Sequence, residues 1–572
     1  MSESKKSERK LTGTRQADGS NHYQTALTPT SHDEPVRLLY GKKRVIPVIF
    51  IPGILGTRLK STKNGKPAWN PPNTVCEQIL TFWNSLWMST EDRAAALDPD
   101  NTEVNNSMPN LSWHKNYQQN EEKWRRRCWG TVYADAYLDF LVRLETDLNP
   151  IELYDKESEH FKMFATSPSA YGAVKKTDQN ACSVKSKPHY SAANSTEDAL
   201  QYSEYEKVFK HYSFEVWACG YNWLKSNIES AEYVHDRITK ICASYDDNII
   251  NKDKKILIVS HSMGGLVTRR ILLDYPELKK QILGVVHIAQ PASGSGAAYW
   301  RMRAGFEDGF AVRTILGRNA ADVTSILGRA QSGLELLPFP NYKKGDPWLF
   351  FPENINTPNS NLVSLPFNNE GNKKKINLYK SIYKSGEWYG LIPDYNLKYI
   401  MAGSKEEKTA AQIENDLKIC RFEFSKRIDL VQKFHKEITN EYHQQTYAIW
   451  GDAPDVKTAG NINWEHSYSE DDPDSKLYDN GRRWVRHGAG NAVMAMPDDP
   501  GDGTVPAISA ETQKEHVQIS FIQGNKLDTK QGKKNQEHGW AHATCCSKDD
   551  RVQWSALYSI MKLVQQLKPK GK

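Results

Sequence analysis

The feature that constrains this chain most is a serine-centred segment between a predicted strand and a predicted helix. Residues 260–265 read SHSMGG, after the apolar run at 255–260 and before a helical pattern over 264–275. A tight strand-to-helix turn needs small residues two before and two after its central serine, because the backbone crowds those positions. Ser260 stands where glycine is usual, and Gly264 fills the second position. The segment predicts a nucleophile elbow at Ser262; a glycine-rich turn without chemistry is the alternative.

Further apolar runs predict a parallel sheet around this turn. The run VIPVIFI at 45–51 is typical of a buried strand. Other strand patterns lie at 214–220, 283–289, 397–401, 445–450 and 516–522. Helical periodicity covers 223–243, 264–275 and 551–567. Strands that alternate with helices indicate βαβ units, so we predict an α/β fold with a mostly parallel central sheet.

The remaining stretches suggest how the domain is organised. Residues 1–36 are polar and predict a mobile tail ahead of one domain over 37–572. Within that domain we expect large helical or irregular insertions at about 60–207 and 300–395. These insertions are predicted to cover the site as a cap, and their aromatic residues are candidates for an acyl groove: Trp83, Trp87, Phe350, Phe351, Trp388 and Tyr389.

Composition excludes several classes of protein. The chain has 572 residues, 38% of them hydrophobic. No apolar run reaches the roughly 18 residues of a membrane helix, which excludes an integral membrane protein. The net charge of +6 is spread along the chain, unlike the basic stripe of a nucleic-acid binder. Eight irregularly spaced cysteines predict reduced thiols. The N-terminus lacks the apolar segment of a signal peptide, so we expect synthesis in the cytoplasm without one.

A serine nucleophile requires a base and an acid that orients the base. In the chain order of serine hydrolases with such an elbow, the acid follows the serine and the base follows the acid. Residues 500–506 read PGDGTVP, and we favour Asp502 as the acid. Asp498 and Asp499 are rivals, and the same oxygen-rich loop leaves calcium binding open as an alternative.

The base is expected among the last histidines, since residues 537–542 read EHGWAH between a predicted strand and the final helix. Spacing alone does not choose between His538 and His542. With Cys545 and Cys546 these histidines also suggest a zinc site, although the ligand spacing matches no familiar zinc motif. His261 lies too close to Ser262 in sequence to act as its base, and we expect it to pack or hydrogen-bond.

Acyl transfer also requires N–H donors for the oxyanion. One donor is expected from the backbone of Met263, which follows the nucleophile. The second is expected from the loop after an early strand, where residues 52–56 read PGILG. Glycines there free the N–H of Ile54 or Leu55 to turn inward.

Several motifs together resemble a known family. Residues 48–58, 218–223, 260–264 and 501–506 read VIFIPGILGTR, ACGYNW, SHSMG and GDGTVP. This combination resembles the lecithin:cholesterol-acyltransferase-like branch of the α/β-hydrolases. Further segments are similar to lipase effectors of the bacterial type VI secretion system: PAWNPP at 67–72, QPASGSG at 290–296, YWRMRAGFE at 299–307, SGLELLP at 332–338 and LYSIMK at 557–562.

The resemblance implies an α/β-hydrolase fold and a serine lipase that acts on phospholipids at a membrane surface. It implies Ser262 as nucleophile, Asp502 as acid and a base shortly before the terminal helix, which favours His542 over His538. It also implies an antibacterial toxin that the type VI system delivers to the periplasm of a target cell. A spike protein as carrier and an immunity protein are the implied partners. No cofactor is expected, and calcium stays open.

Two other functions are compatible with the same residues. An acyltransferase would pass the acyl group from Ser262 to an alcohol rather than to water, and the triad does not distinguish the two acceptors. A hydrolase-like binding module with an inactive site is the other alternative, because Ser260 departs from the usual glycine.

Overall fold

The structure is a computed structural model of the 572-residue chain. It describes these residues: 12–15, 21–26, 35–39, 43–71, 89–150, 158–168, 173–175, 199–247, 249–250, 254–306, 319–355, 357, 360–366, 376–400, 409–466, 484–487, 490–524 and 539–567.

The strands are, in chain order, β1 (Thr12–Arg15), β2 (Asn21–Ala26), β3 (Pro35–Leu39), β4 (Arg44–Ile51), β5 (Leu59–Ser61), β6 (Pro67–Trp69), β7 (Thr102–Val104), β8 (Ala173–Lys175), β9 (Tyr212–Ala218), β10 (Ile256–His261), β11 (Ile282–Ile288), β12 (Leu349–Pro352), β13 (Leu362–Leu365), β14 (Thr446–Gly451), β15 (Ala453–Thr458), β16 (Ile462–His466), β17 (Trp484–His487), β18 (Gly490–Met494), β19 (Asp499–Gly501) and β20 (Ile519–Gln523).

The α-helices are Thr90–Ala96, Tyr117–Arg126, Ala134–Asp147, Glu159–Phe164, Tyr202–His211, Asn227–Ala243, Gly264–Asp274, Pro276–Gln281, Gly296–Ala304, Ala320–Leu327, Gln331–Leu334, Ala410–Ile438, Ala507–Ala510, Cys545–Lys548 and Asp550–Val564. Short helices of other types are Pro99–Asn101, Trp129–Thr131, Tyr342–Gly345, Tyr379–Tyr383, Asp394–Tyr399 and Glu511–His516.

A seven-stranded sheet in the order β8-β20-β14-β11-β10-β4-β9 forms the centre of the fold. Every neighbouring pair from β20 to β9 is parallel, and only the edge strand β8 runs antiparallel. Its inner strands β4, β10 and β11 are buried almost throughout, which explains their continuous apolar runs. The predicted α/β-hydrolase fold with a mostly parallel sheet is therefore confirmed.

Helices cover both faces of this sheet, because alternate residues of each strand point to opposite sides. Ile49 and Ile258 pack in a cluster with the helices Asn227–Ala243 and Gly264–Asp274. Phe50 and Val259 pack in a second cluster on the other face, with the helices Ala134–Asp147 and Asp550–Val564. The carboxyl ends of β4, β10 and β14 meet at one edge, where α/β folds place their ligand sites.

The two predicted insertions differ in their packing. Within the first, the helices Ala134–Asp147 and Tyr202–His211 bury apolar residues in the core on one sheet face, so they form part of the main helical layer. Within the second, the helices Ala320–Leu327 and Gln331–Leu334 pack in the cluster on the opposite face. Trp83 and Trp87 lie outside the described residues. The proposed domain boundaries stay a prediction.

Two local expectations differ from the structure. Residues 397–401 were expected as a strand, but Asp394–Tyr399 is a 3-10 helix. The helix Ala410–Ile438 was not predicted, although it is the longest described. The mobile tail over 1–36 stays a prediction; β1, β2 and β3, which lie in it and at its end, form an antiparallel sheet. Within the described part of the chain, no helix is both long and apolar enough to span a membrane.

The closing helix generates a test of the packing. Leu563 is fully buried and fills the space that a side chain at Gly284 of β11 would occupy. We expect Leu563→Ala to lower the free energy of unfolding by about 2–5 kcal/mol, because it leaves a cavity against the sheet. Urea denaturation followed by circular dichroism measures the change.

Leu362→Ala is the matched control, since Leu362 is 53% exposed. Its effect should stay within about 0.5 kcal/mol. Equal losses in the two variants would contradict the packing described for the closing helix.

Candidate active site

Ser262 lies at a strained turn directly after β10. Its φ is +52°, a left-handed value that costs a non-glycine residue free energy. Its backbone N–H donates to the carbonyl oxygen of Ile288 at 2.8 Å, which ties the turn to β11. A Cβ atom at Gly264 would lie 2.5 Å from the carbonyl oxygens of both Ile51 and Pro52. Only glycine fits there, so the sequence pattern and the turn geometry agree.

Ser260 departs from the usual glycine but has a defined partner. Its side chain is fully buried, and its Oγ lies 2.7 Å from Nδ1 of His287 on β11. Burial, together with the nearby charge of Arg269, lowers the pKa of His287 to about 3. The histidine is therefore neutral near pH 7, and the serine at this position forms a hydrogen bond beneath the turn.

The structure brings Ser262, His542 and Asp502 together in a chain of hydrogen bonds. His542 Nε2 lies 2.8 Å from Ser262 Oγ, and His542 Nδ1 lies 2.8 Å from Asp502 Oδ2. The other carboxylate oxygen of Asp502 accepts from the backbone N–H groups of Thr504 at 3.0 Å and Val505 at 2.6 Å. Because a carboxylate only accepts, Nδ1 of a neutral His542 carries the proton and Nε2 accepts from the serine hydroxyl.

The rival acids of the same loop have other partners. Asp498 forms an ion pair with Lys457 at 2.7 Å. Asp499 accepts from the backbone N–H and the side-chain amide of Asn461, at 2.6 and 2.7 Å. Of the three candidate carboxylates, Asp502 is the one that contacts the histidine. Whether the loop takes calcium stays a prediction.

His542 is the histidine beside Ser262, and His538 lies outside the described residues. His261 makes hydrogen bonds away from the serine, as the sequence predicted. Its Nδ1 lies 2.8 Å from the hydroxyl of Tyr137, and its Nε2 lies 3.1 Å from the backbone carbonyl oxygen of His542. Tyr137 was missed from sequence because it belongs to an amphipathic helix that carries no motif.

The loop after β4 approaches the serine closely. A Cβ atom at Gly53 would lie 2.7 Å from the Cβ of Ser262, so this glycine permits the contact. Leu55 adopts a φ of +64°, which turns the loop. Among the described residues, no protein acceptor receives the backbone N–H of Ile54 or of Met263. Met263 is the first donor that the sequence predicted for an oxyanion, and Ile54 is one of the two candidates, with Leu55, for the second.

A mostly apolar pocket adjoins Ser262. Its lining comes from the loop after β4, the segment 291–306, the second insertion and the loop after Asp502. The lining residues are Ile54, Leu55, Ser262, Pro291, Ser295, Ala297, Ala298, Arg301, Phe306, Leu327, Gly333, Leu336, Thr504 and Val505.

Of the aromatic residues predicted as an acyl groove, the four that the structure describes do not line this pocket. Phe351 stacks on Tyr389 with ring centroids 4.0 Å apart, and Trp388 packs edge-on against both rings. Phe350 faces the ammonium group of Lys343. The second insertion contributes a different set to the pocket: Arg301, Phe306, Leu327, Gly333 and Leu336.

The zinc set suggested by the sequence does not form as expected. The imidazole of His542 is committed to Ser262 and Asp502. Among the described residues, the group that could hold a metal ion is His261, Cys545 and Cys546, all buried. The sequence hypothesis also included Cys545 and Cys546, but it combined them with His538 and His542, whereas the histidine of this group is His261.

The fold and the site together define an α/β-hydrolase. The central sheet is mostly parallel, the serine turn follows β10, and the histidine and the acid lie in later loops. The sequence signature of the lecithin:cholesterol acyltransferase family matches residues 187–543, more than half of the chain. The chain therefore belongs to the lecithin:cholesterol acyltransferase family.

Among solved structures, the chain is similar to the crystal structure of the Tle4–Tli4 complex. The TM-score is 0.70 and the identity 28%, over 92% of this chain and 99% of that chain. A metagenomic carboxyl esterase matches 21% of this chain and 36% of its own, at 18% identity and a TM-score of 0.13, too low to carry an argument. A comparison with curated proteins gives no match. The recognition made from the motifs, a lipase related to type VI effectors, is confirmed.

The crowding at Gly264 generates a test of the turn. We expect Gly264→Ala to lower the free energy of unfolding by about 1–3 kcal/mol or more, because two backbone carbonyl oxygens cannot move aside for the added methyl group. Gly333→Ala is the matched control. There the nearest atom is the flexible Leu327 Cδ2 at 3.2 Å. Chemical denaturation of both variants measures the difference, and equal stabilities would contradict the described contact.

Proposed function

We propose that this protein is a serine esterase that hydrolyses acyl esters of membrane phospholipids through an acyl-enzyme. The observation that carries the proposal is the continuous hydrogen-bond chain from Ser262 through His542 to Asp502, beside an apolar pocket. A serine, a histidine and a buried acid in this order are the groups that acyl transfer requires.

In the proposed first step, His542 Nε2 takes the hydroxyl proton of Ser262 while Oγ attacks the ester carbonyl carbon. Asp502 holds the histidine in the required tautomer and stabilises the imidazolium that forms. The two backbone N–H bonds to Asp502 keep its carboxylate oriented for this role.

The tetrahedral intermediate places a negative charge on the former carbonyl oxygen. In the proposal, the backbone N–H groups of Ile54 and Met263 donate to it. The N-terminus of the helix Gly264–Asp274 adds a favourable dipole on the same side. His542 then protonates the departing alcohol, and a water activated by the same histidine releases the acid from Ser262.

The pocket supports an ester with a long hydrocarbon chain. Its wall is formed mainly by aliphatic groups, such as those of Leu327, Leu336 and Val505. Burial of each methylene of an acyl chain contributes about 0.8 kcal/mol to binding. Arg301 is the charged residue of the described lining, and its cation suits an anionic lipid better than a cationic one.

The similarity to the Tle4 component of the Tle4–Tli4 complex supports a more specific role. We propose an antibacterial effector that a type VI secretion system carries to the periplasm of a target cell. A spike protein would serve as carrier. An immunity protein would bind the effector in the producing lineage, as the complex of the similar protein suggests.

Acyl transfer to an alcohol is the second candidate, because the family is that of an acyltransferase. It uses the same acyl-enzyme and differs only in the acceptor that attacks it. Product analysis with a sterol in the vesicles distinguishes a sterol ester from a free fatty acid.

The proposal predicts that Ser262→Ala abolishes release of fatty acid and lysolipid from phospholipid vesicles. The loss should be about 10⁴-fold or more, because the nucleophile and its base act as a unit. Asp502→Asn should lose about 10⁴-fold, because His542 then adopts the wrong tautomer. Mass spectrometry of the lipid extract measures the products and identifies the ester that is cleaved.

Ser559→Ala is the control, since Ser559 is a buried serine in the closing helix whose hydroxyl donates to the carbonyl oxygen of Ser555. It should retain nearly full activity. Equal release by the native chain and Ser262→Ala, or no release from any phospholipid with and without calcium, would contradict the proposed phospholipase.

A further inference from the structure

We propose that His261, Cys545 and Cys546 form a site for a thiophilic divalent cation such as Zn²⁺, and that its occupancy inhibits the adjacent site. Binding stands on the geometry of these three side chains alone. The inhibition rests on the proposed esterase function.

The three side chains converge from two distant parts of the chain. His261 ends β10 and precedes Ser262, whereas the cysteines begin the short helix Cys545–Lys548. Their ligand atoms lie within 4.8 Å of one another, and all three residues are buried. Cys545 Sγ is 3.7 Å from His261 Nε2. Tetrahedral zinc bonds of about 2.0 Å to nitrogen and 2.3 Å to sulfur place ligand atoms about 3.5–3.8 Å apart, so small shifts suffice.

The donor set fits a soft cation. One imidazole and two thiolates are ligands that select zinc over calcium or magnesium. Two thiolates cancel the charge of a divalent ion, so the loaded site is neutral and its burial costs less than that of a lone charge. Burial raises the pKa of the Cys545 thiol, so binding would release protons and weaken as the pH falls.

Without a cation, His261 connects both sides of the proposed catalytic site. The carbonyl oxygen of His542 only accepts, so Nε2 of His261 is the protonated nitrogen and donates to it at 3.1 Å. Nδ1 then accepts from the hydroxyl of Tyr137 at 2.8 Å. The Tyr137 oxygen in turn accepts from the N–H of Gly53 at 3.2 Å. One chain of hydrogen bonds thus joins the loop of the base to the loop of the oxyanion donors.

A cation at Nε2 reverses this chain. The proton leaves Nε2, so the bond to the carbonyl oxygen of His542 is lost. A neutral ring then carries its proton on Nδ1 and donates to Tyr137, whose own hydroxyl proton must find another acceptor. The segment of His542 loses a fixed hydrogen bond, and the hydroxyl of Tyr137, which accepts from the N–H of Gly53, must reorient. We therefore expect a loaded site to displace the base and the oxyanion donors from their working positions.

The binding test uses the full chain, stripped of metal with a chelator and kept reduced. Zn²⁺ is titrated in competition with a chromophoric chelator, and Co²⁺ is used as a spectroscopic probe. The native chain should take up one ion and give the absorption band of cobalt bound to thiolate. Cys546→Ser should weaken binding by about 100-fold or more, because loss of a direct ligand costs at least as much as loss of an outer-shell partner.

Cys242→Ser is the matched control, because Cys242 is a free cysteine on the helix Asn227–Ala243, outside this cluster. It should bind like the native chain. If Cys546→Ser does not fold, Cys545→Ser gives the same comparison. The proposed site is wrong if the native chain takes up no ion. It is also wrong if Cys546→Ser takes up as much ion as the native chain and its cobalt band is unchanged.

The inhibition is tested separately, by measuring ester hydrolysis in the presence of equimolar Zn²⁺. The rate of each variant is compared with its own rate without metal. With Zn²⁺, the hydrolysis rate of the native chain should fall at least about tenfold and recover when a chelator is added. The rate of Cys546→Ser should stay near its own metal-free value. Equal inhibition of the two would place the effect at His542 itself and overturn the proposed coupling. If the native chain shows the cobalt band but no esterase activity, the proposed function is wrong and the proposed metal site is still supported.

Discussion

The close approach of two backbone segments at Gly264 is the constraint on which the rest of the site depends. The carbonyl oxygens of Ile51 and Pro52 lie where a side chain at this position would be. This contact lets the helix Gly264–Asp274 start directly beyond β10 and forces Ser262 into its left-handed conformation. The strain is held by parallel strands on both sides, since β10 pairs with β4 and with β11. The serine hydroxyl therefore emerges at a fixed point on the carboxyl edge of the sheet.

The other groups reach this point through loops whose positions depend on the same sheet. Asp502 lies after β19 and keeps its orientation through bonds to its own loop. The backbone N–H of His542 donates to the carbonyl oxygen of Asp502 at 2.9 Å, so acid and base are held together by backbone as well as side chains. Three segments that are far apart in sequence thus form one continuous set of hydrogen bonds.

The sequence predicted the parts of the molecule that local patterns determine. Buried parallel strands are continuous apolar runs, so β4, β10, β11, β14 and β20 were found nearly at their bounds. Ser262 was found because its turn demands small neighbours. Spacing could not choose between His538 and His542, and the choice of His542 rested on family resemblance. Tyr137 and the pocket wall were missed, because their positions depend on how the insertions pack against the sheet rather than on any local signal.

The most direct test is to find which serine of the native full chain reacts with a fluorophosphonate. The chain is treated with the reagent at neutral pH, digested and mapped by peptide mass spectrometry. We predict one modified residue, Ser262, and loss of that adduct in His542→Ala, because the hydroxyl is activated only through its bond to Nε2. An unmodified native chain, or an adduct on a different serine, would contradict a catalytic role for the hydrogen-bonded chain of Ser262, His542 and Asp502.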